Sequence, residues 1–87
     1  MSITYRVIVE AGPANYSAFV PDIPGCVSTG TTENETLSNL QEALELHLTG
    51  MIEDGNVIPL PTAQNAPLDA GESAHQISVN ITTTVTA

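Results

Sequence analysis

The sequence predicts an α+β fold: one four-stranded mixed sheet covered on one face by a single helix, in the order β-β-β-α-β. Three observations carry this expectation. Residues 3–10 alternate along the chain, with Ile3, Tyr5, Val7 and Val9 on one side and Thr4, Arg6, Ile8 and Glu10 on the other. Residues 33–54 carry leucines at helical spacing behind a threonine suited to cap a helix. Residues 76–85 alternate again, Ile77, Val79, Ile81 and Val85 against Ser78, Asn80, Thr82 and Thr84. At 87 residues and 41% hydrophobic, the chain reads as a single domain spanning 1–87, able to bury a thin core. Trp is absent and only Tyr5, Tyr16 and Phe19 supply rings, so aliphatic packing does most of the holding.

The first strand, about 3–10, runs into Ala11-Gly12-Pro13-Ala14, where Gly and Pro suit a turn. A second strand, about 15–20, then forms an antiparallel hairpin with the first. Pro21 and Pro24 stiffen the next connection, because each fixes φ and removes a backbone donor. A short third strand, about 26–30, ends at Gly30.

The helix, about 33–54, opens on Thr32 with Glu35 three residues later, the spacing of a capping box. Leu37, Leu40, Leu44, Leu48, Met51 and Ile52 form its apolar stripe. Gly50 weakens its interior by up to ~1 kcal/mol, and Gly55 suits a left-handed stop. Residues 55–75, with Pro59, Pro61 and Pro67, read as a long loop. The last strand, about 76–85, is expected parallel to the first, reached by a right-handed crossover through the helix. That arrangement leaves one sheet face bare, with Ile8 and Phe19 projecting from it.

Charge excludes several function classes. Ten carboxylates stand against Arg6 alone, with no Lys, for a formal charge of −9. Direct binding of DNA or RNA is not expected, since a phosphate backbone needs Lys and Arg to neutralise it. Anionic membrane surfaces are disfavoured for the same reason. A basic protein partner is the natural complement. Neither a signal peptide nor a membrane-length apolar run is visible, and the single Cys26 cannot form an internal disulfide, so a cytoplasmic location is expected.

Catalytic chemistry finds little support. His47 and His75 lie in no zinc-ligand spacing, Cys26 has no neighbouring base, and Gly25 and Gly30 make no phosphate loop. No catalytic residue, metal ligand or cofactor site is assigned. The element order resembles the front part of a ribonuclease H-type nuclease, but residues 77–87 contain no Asp or Glu where such an enzyme would share metal ions between carboxylates.

From Tyr5 to Pro61 the residues PDIPGC (21–26), TGTTENET (29–36), LQEALELHL (40–48) and EDGNVIPLP (53–61) follow one another. In that succession the chain resembles the HicB-like antitoxin family. The resemblance implies a partial, non-catalytic ribonuclease H-like fold that binds a small, basic, mRNA-cleaving toxin of the HicA type and covers its active site. Many members carry a carboxy-terminal DNA-binding segment. Here the residues after Pro67 contain no basic side chain, so promoter binding is not expected.

Candidate partner contacts are Asp22, Glu33, Glu35 and Glu42. Each has a plainer alternative: Asp22 suits a loop cap, and the helix carboxylates suit a solvated face. Ile8 and Phe19 are candidates for an interface in a homodimer or higher homo-oligomer. The alternative function is a stand-alone HicB-like oligomeric scaffold or small-ligand-binding module without a toxin.

Overall fold

The computed structural model describes residues 2–62 and 67–80. It contains β1 (Ser2–Ala11), β2 (Tyr16–Phe19), β3 (Val27–Gly30), α1 (Glu33–Glu53) and β4 (Glu72–Asn80). The strands form one sheet in the order β3-β2-β1-β4. β1 pairs with β2 from Ile8 opposite Phe19 to Ala11 opposite Tyr16. On its other side β1 pairs with β4 along nine residues, from Ser2 opposite Asn80 to Glu10 opposite Glu72.

Every pairing is antiparallel, including β1 with β4. The mixed sheet expected from the sequence is therefore corrected to a wholly antiparallel one. The reason lies in the loop. β3 ends beside the β1–β2 hairpin, and the 21 residues of α1 carry the chain back along about 30 Å, the length of the sheet. A short connection from there would have delivered a parallel strand. Residues 54–71 instead reach roughly 55–60 Å when extended, enough to return to the hairpin end before pairing starts. β4 accordingly begins at Glu72, not near residue 76, and the connecting loop ends before it. Gly71, at φ 82°, turns the chain, and its carbonyl accepts the Ala11 N–H at 3.1 Å. Ser73, Ala74 and His75 have modest strand propensity, and the β1 ladder recruits them. Expected strand residues 81–85 lie outside the described residues.

The helix packs on the face carrying Tyr5, Val7, Val9, Ala18, Ile77 and Val79. Leu40, Leu44 and Leu48 supply its buried stripe, with Thr36 buried beside them. Thr32 caps the helix: its hydroxyl accepts the Glu35 N–H at 3.0 Å. The Glu35 carboxylate reaches past the cap to the Thr31 N–H at 2.9 Å, one residue earlier than a capping box would place it. At the far end the Asn56 N–H reaches Met51 O and the Gly55 N–H reaches Ile52 O, with Gly55 at φ 77°. These two bonds close the last turn as a Schellman motif.

Gly30 marks a close approach of sheet and helix. A Cβ there would stand 2.7 Å from Thr36 Oγ1 and 2.8 Å from Thr36 N, so only glycine lets the first turn of α1 sit against β3.

Candidate partner-binding surfaces

The connection between β2 and β3 is held by its own backbone. The Ile23 N–H donates to Val20 O at 3.0 Å, and the Cys26 N–H to Ile23 O at 3.2 Å. Ile23 and Cys26 are buried, and burial pushes the Cys26 thiol pKa up. Asp22 accepts the Thr62 N–H at 3.0 Å and the Thr62 hydroxyl at 2.8 Å. It thus caps a segment forty residues away, where the sequence had suggested a cap on its own loop. Close by, the Tyr5 hydroxyl donates to Pro59 O. Burial raises the Tyr5 pKa, and the Asp22 carboxylate adds to the rise. Asp22 of PDIPGC and Tyr5 of β1 therefore anchor the chain that leaves α1. Thr62 carries no sequence signal for this role, because the pairing depends wholly on the path of the loop.

The helix carboxylates divide by position. Glu35 is used in the cap. Glu33 Oε1 lies 3.1 Å from His75 Nε2, an ion pair when the imidazole is protonated, and the Ser73 hydroxyl lies 3.1 Å from the same nitrogen. Glu42 and Glu45 stand exposed on the outer helix face beside Leu46, which is itself 74% exposed. His75 fits no motif; it acquires a carboxylate because β4 brings it beneath the start of α1.

Two shallow surfaces flank the sheet. α1 packs chiefly on β3 and β2, which leaves a groove of about 510 Å³ between α1 and β4. Leu37 and Ile77 form its apolar part, while Asn34, Ser38, Gln41 and His75 form its polar part. On the opposite sheet face Ile8 and Phe19 are cross-strand partners, and Phe19 in turn faces Val27. Ile8 is only 4% exposed; Phe19 is half-buried, and Val27 is 64% exposed. The accessible apolar surface there consists of Phe19 and Val27 more than Ile8. Beside them Glu10, Ser17 and Thr29 complete a groove of about 450 Å³. Among the described residues no three His, Cys, Asp or Glu side chains gather as metal ligands. No described helix is long and apolar enough to cross a membrane.

The model of a protein family described as "HicB_like antitoxin of bacterial toxin-antitoxin system" matches residues 5–86. The chain belongs to the HicB-like antitoxin family. A 14.9 kDa protein of Haemophilus phage HP1 is 40% identical over 55 residues, which cover 63% of this chain and 41% of that protein. A small protein of Thermoplasma acidophilum is 30% identical over 67 residues, covering 76% of this chain and 97% of its own length. The crystal structure of the N-terminal domain of the Burkholderia pseudomallei antitoxin HicB is similar at a TM-score of 0.75 and 28% identity, over 91% of this chain and 100% of that one. The chain spans well under two thirds of the phage relative and 64% of the longer HicB chain from the same Burkholderia species. A HicB-like fold also occurs in a structure described as the HicA3 and HicB3 toxin–antitoxin complex, at a TM-score of 0.68 and 21% identity over 85% of this chain and 94% of that one.

Proposed function

We propose that this HicB-like chain is the antitoxin of a toxin–antitoxin pair. It acts without catalysis, binds a small basic HicA-type toxin, and covers the toxin's active site. The observation that carries this reading is the family match over residues 5–86. The charge of −9, with Arg6 as the one Lys or Arg, supports a cationic partner and speeds encounter with it. The HicA3–HicB3 complex shows that a chain of this fold occurs with a HicA protein. Partner contacts are proposed at Asp22, Glu33, Glu35 and Glu42; Glu35 and Glu42 are exposed, and Asp22, Glu33 and Glu35 also serve the fold. A cytoplasmic location accompanies this role, and a second copy is the proposed occupant of the open sheet face at Phe19 and Val27.

The test is co-expression in bacteria with the product of the reading frame that adjoins this chain's own. Induction of that protein alone should arrest growth and cleave mRNA, and co-expression of the chain should restore both growth and intact transcripts. A neighbour that is harmless, or toxicity unaffected by the chain, overturns the proposal and favours the scaffold or ligand-binding alternative.

A further inference from the structure

We infer that the partner docks by adding an extended, cationic segment to the free side of β4, with alternate side chains entering the groove between α1 and β4. This rests on the antitoxin reading above and names its surface. Among the described residues β4 is an edge strand, nine residues long, with no Pro and no Lys to discourage pairing. Its ladder tells which backbone groups face outward. The Ala11 N–H bonds to Gly71 O one step beyond the last registered pair. In an antiparallel ladder bonded and non-bonded pairs alternate, so Ser73, His75, Ile77 and Val79 direct their backbone groups at β1, and Ala74 and Ser78 direct theirs away from it.

The groove lies beside that edge because α1 is displaced toward β3. A strand added to β4 would extend the sheet along the open side of the groove. Every second side chain would then point at Leu37, Ser38 and Gln41. This is the geometry of strand addition, in which main-chain bonds supply affinity and side-chain pockets supply selectivity.

Charge selects the occupant. Glu33 stands at the groove's end, 42% exposed and already within 3.1 Å of an imidazole nitrogen of His75, which lines the groove. An incoming Lys or Arg would find a carboxylate held in place. A second copy is a poor occupant of this edge, since with one Arg and no Lys it brings no cationic run to meet Glu33.

The experiment measures, by calorimetry, binding of the wild-type chain and three variants to the toxin that the co-expression test identifies. Ser38→Arg fills the groove and puts a positive charge there from an exposed helix position. Ser78→Pro removes an outward donor and keeps the backbone ladder with β1, losing only the Ser78–Thr4 hydroxyl bond of 2.6 Å. Phe19→Asp alters the opposite sheet face. The inference expects at least tenfold weaker binding for Ser38→Arg and Ser78→Pro, unchanged binding for Phe19→Asp, and slowed amide exchange at Ala74 and Ser78 of the wild type on toxin binding. Wild-type affinity in Ser38→Arg, whose exposed position leaves the fold alone, overturns the surface while the antitoxin reading stands. Failure of the wild-type chain to bind overturns both.

Discussion

Tyr5 shows how one residue couples the core to the loop. Its ring is fully buried under the helix, and its hydroxyl donates to Pro59 O while Asp22 holds a negative charge nearby. Ionising such a phenol is disfavoured, first by burial and then by the carboxylate. A folded-state pKa raised above 10.0 contributes stability that is fully present below the unfolded value and lost as pH rises through the folded one. Urea denaturation should therefore show the wild-type chain losing stability above about pH 10. Tyr5→Phe should lower stability at pH 7 by about 1 kcal/mol, the usual net worth of one hydrogen bond, and should flatten the alkaline decline. An equally steep decline in the variant would assign it elsewhere. At Gly30 a methyl group would collide with the backbone of Thr36, which belongs to a packed helix and has little room to shift. Gly30→Ala is expected to cost about 1–3 kcal/mol, readable as a lowered urea midpoint. Full stability in that variant would mean that α1 slides freely over β3.

Among the elements, α1 carries the most legible sequence and β4 the least. Leu40, Leu44 and Leu48 are fully buried at the spacing that the stripe predicts, and Glu53 is the last helical residue against an expected end near 54. Thr32 was readable as a cap because a hydroxyl before a leucine stripe satisfies an orphan N–H through local geometry alone. Thr32→Ala should cost about 1 kcal/mol and increase amide exchange in the first turn, with the second half of the helix unchanged. Loss spread evenly along α1 would argue that tertiary contacts, not the cap, hold that end. Thr36 gives no sequence sign of being a core residue, because its hydroxyl turns back to Thr32 O at 2.7 Å and so satisfies itself inside the core. β4 differs from the sequence expectation at its start and in its direction. Both differences share one cause: strand pairing depends on where a loop delivers the chain, and residues 54–71 carry no periodic signal of their path.

For the whole molecule, the balance lies between an acidic surface and an open apolar one. A formal charge of −9 keeps molecules apart, while Phe19 and Val27 offer apolar area on the face away from the helix. We expect sedimentation equilibrium at micromolar concentration and physiological salt to show a homodimer, which Phe19→Asp dissociates with the fold retained. A single 9.1 kDa species for the wild-type chain would remove the open face as an interface. The same charge predicts that this chain alone gives no gel shift with DNA from its upstream region at physiological salt. Tight, sequence-selective binding would show that an assembly builds a reader out of residues other than Lys and Arg.

The sequence by itself determined the local properties: three strands and a helix in order, the cap, the leucine stripe, the acidic balance and the HicB-like motifs. Each depends on neighbours within a few turns of chain or on a simple sum. Only the tertiary structure decided that the fourth strand runs antiparallel to the first, that Asp22 anchors Thr62, and that His75 meets Glu33. These pair residues 40 to 78 positions apart, and no local propensity records which distant groups a loop will bring together. The groove beside β4 belongs with them, since it exists only because the helix settles toward the other edge of the sheet.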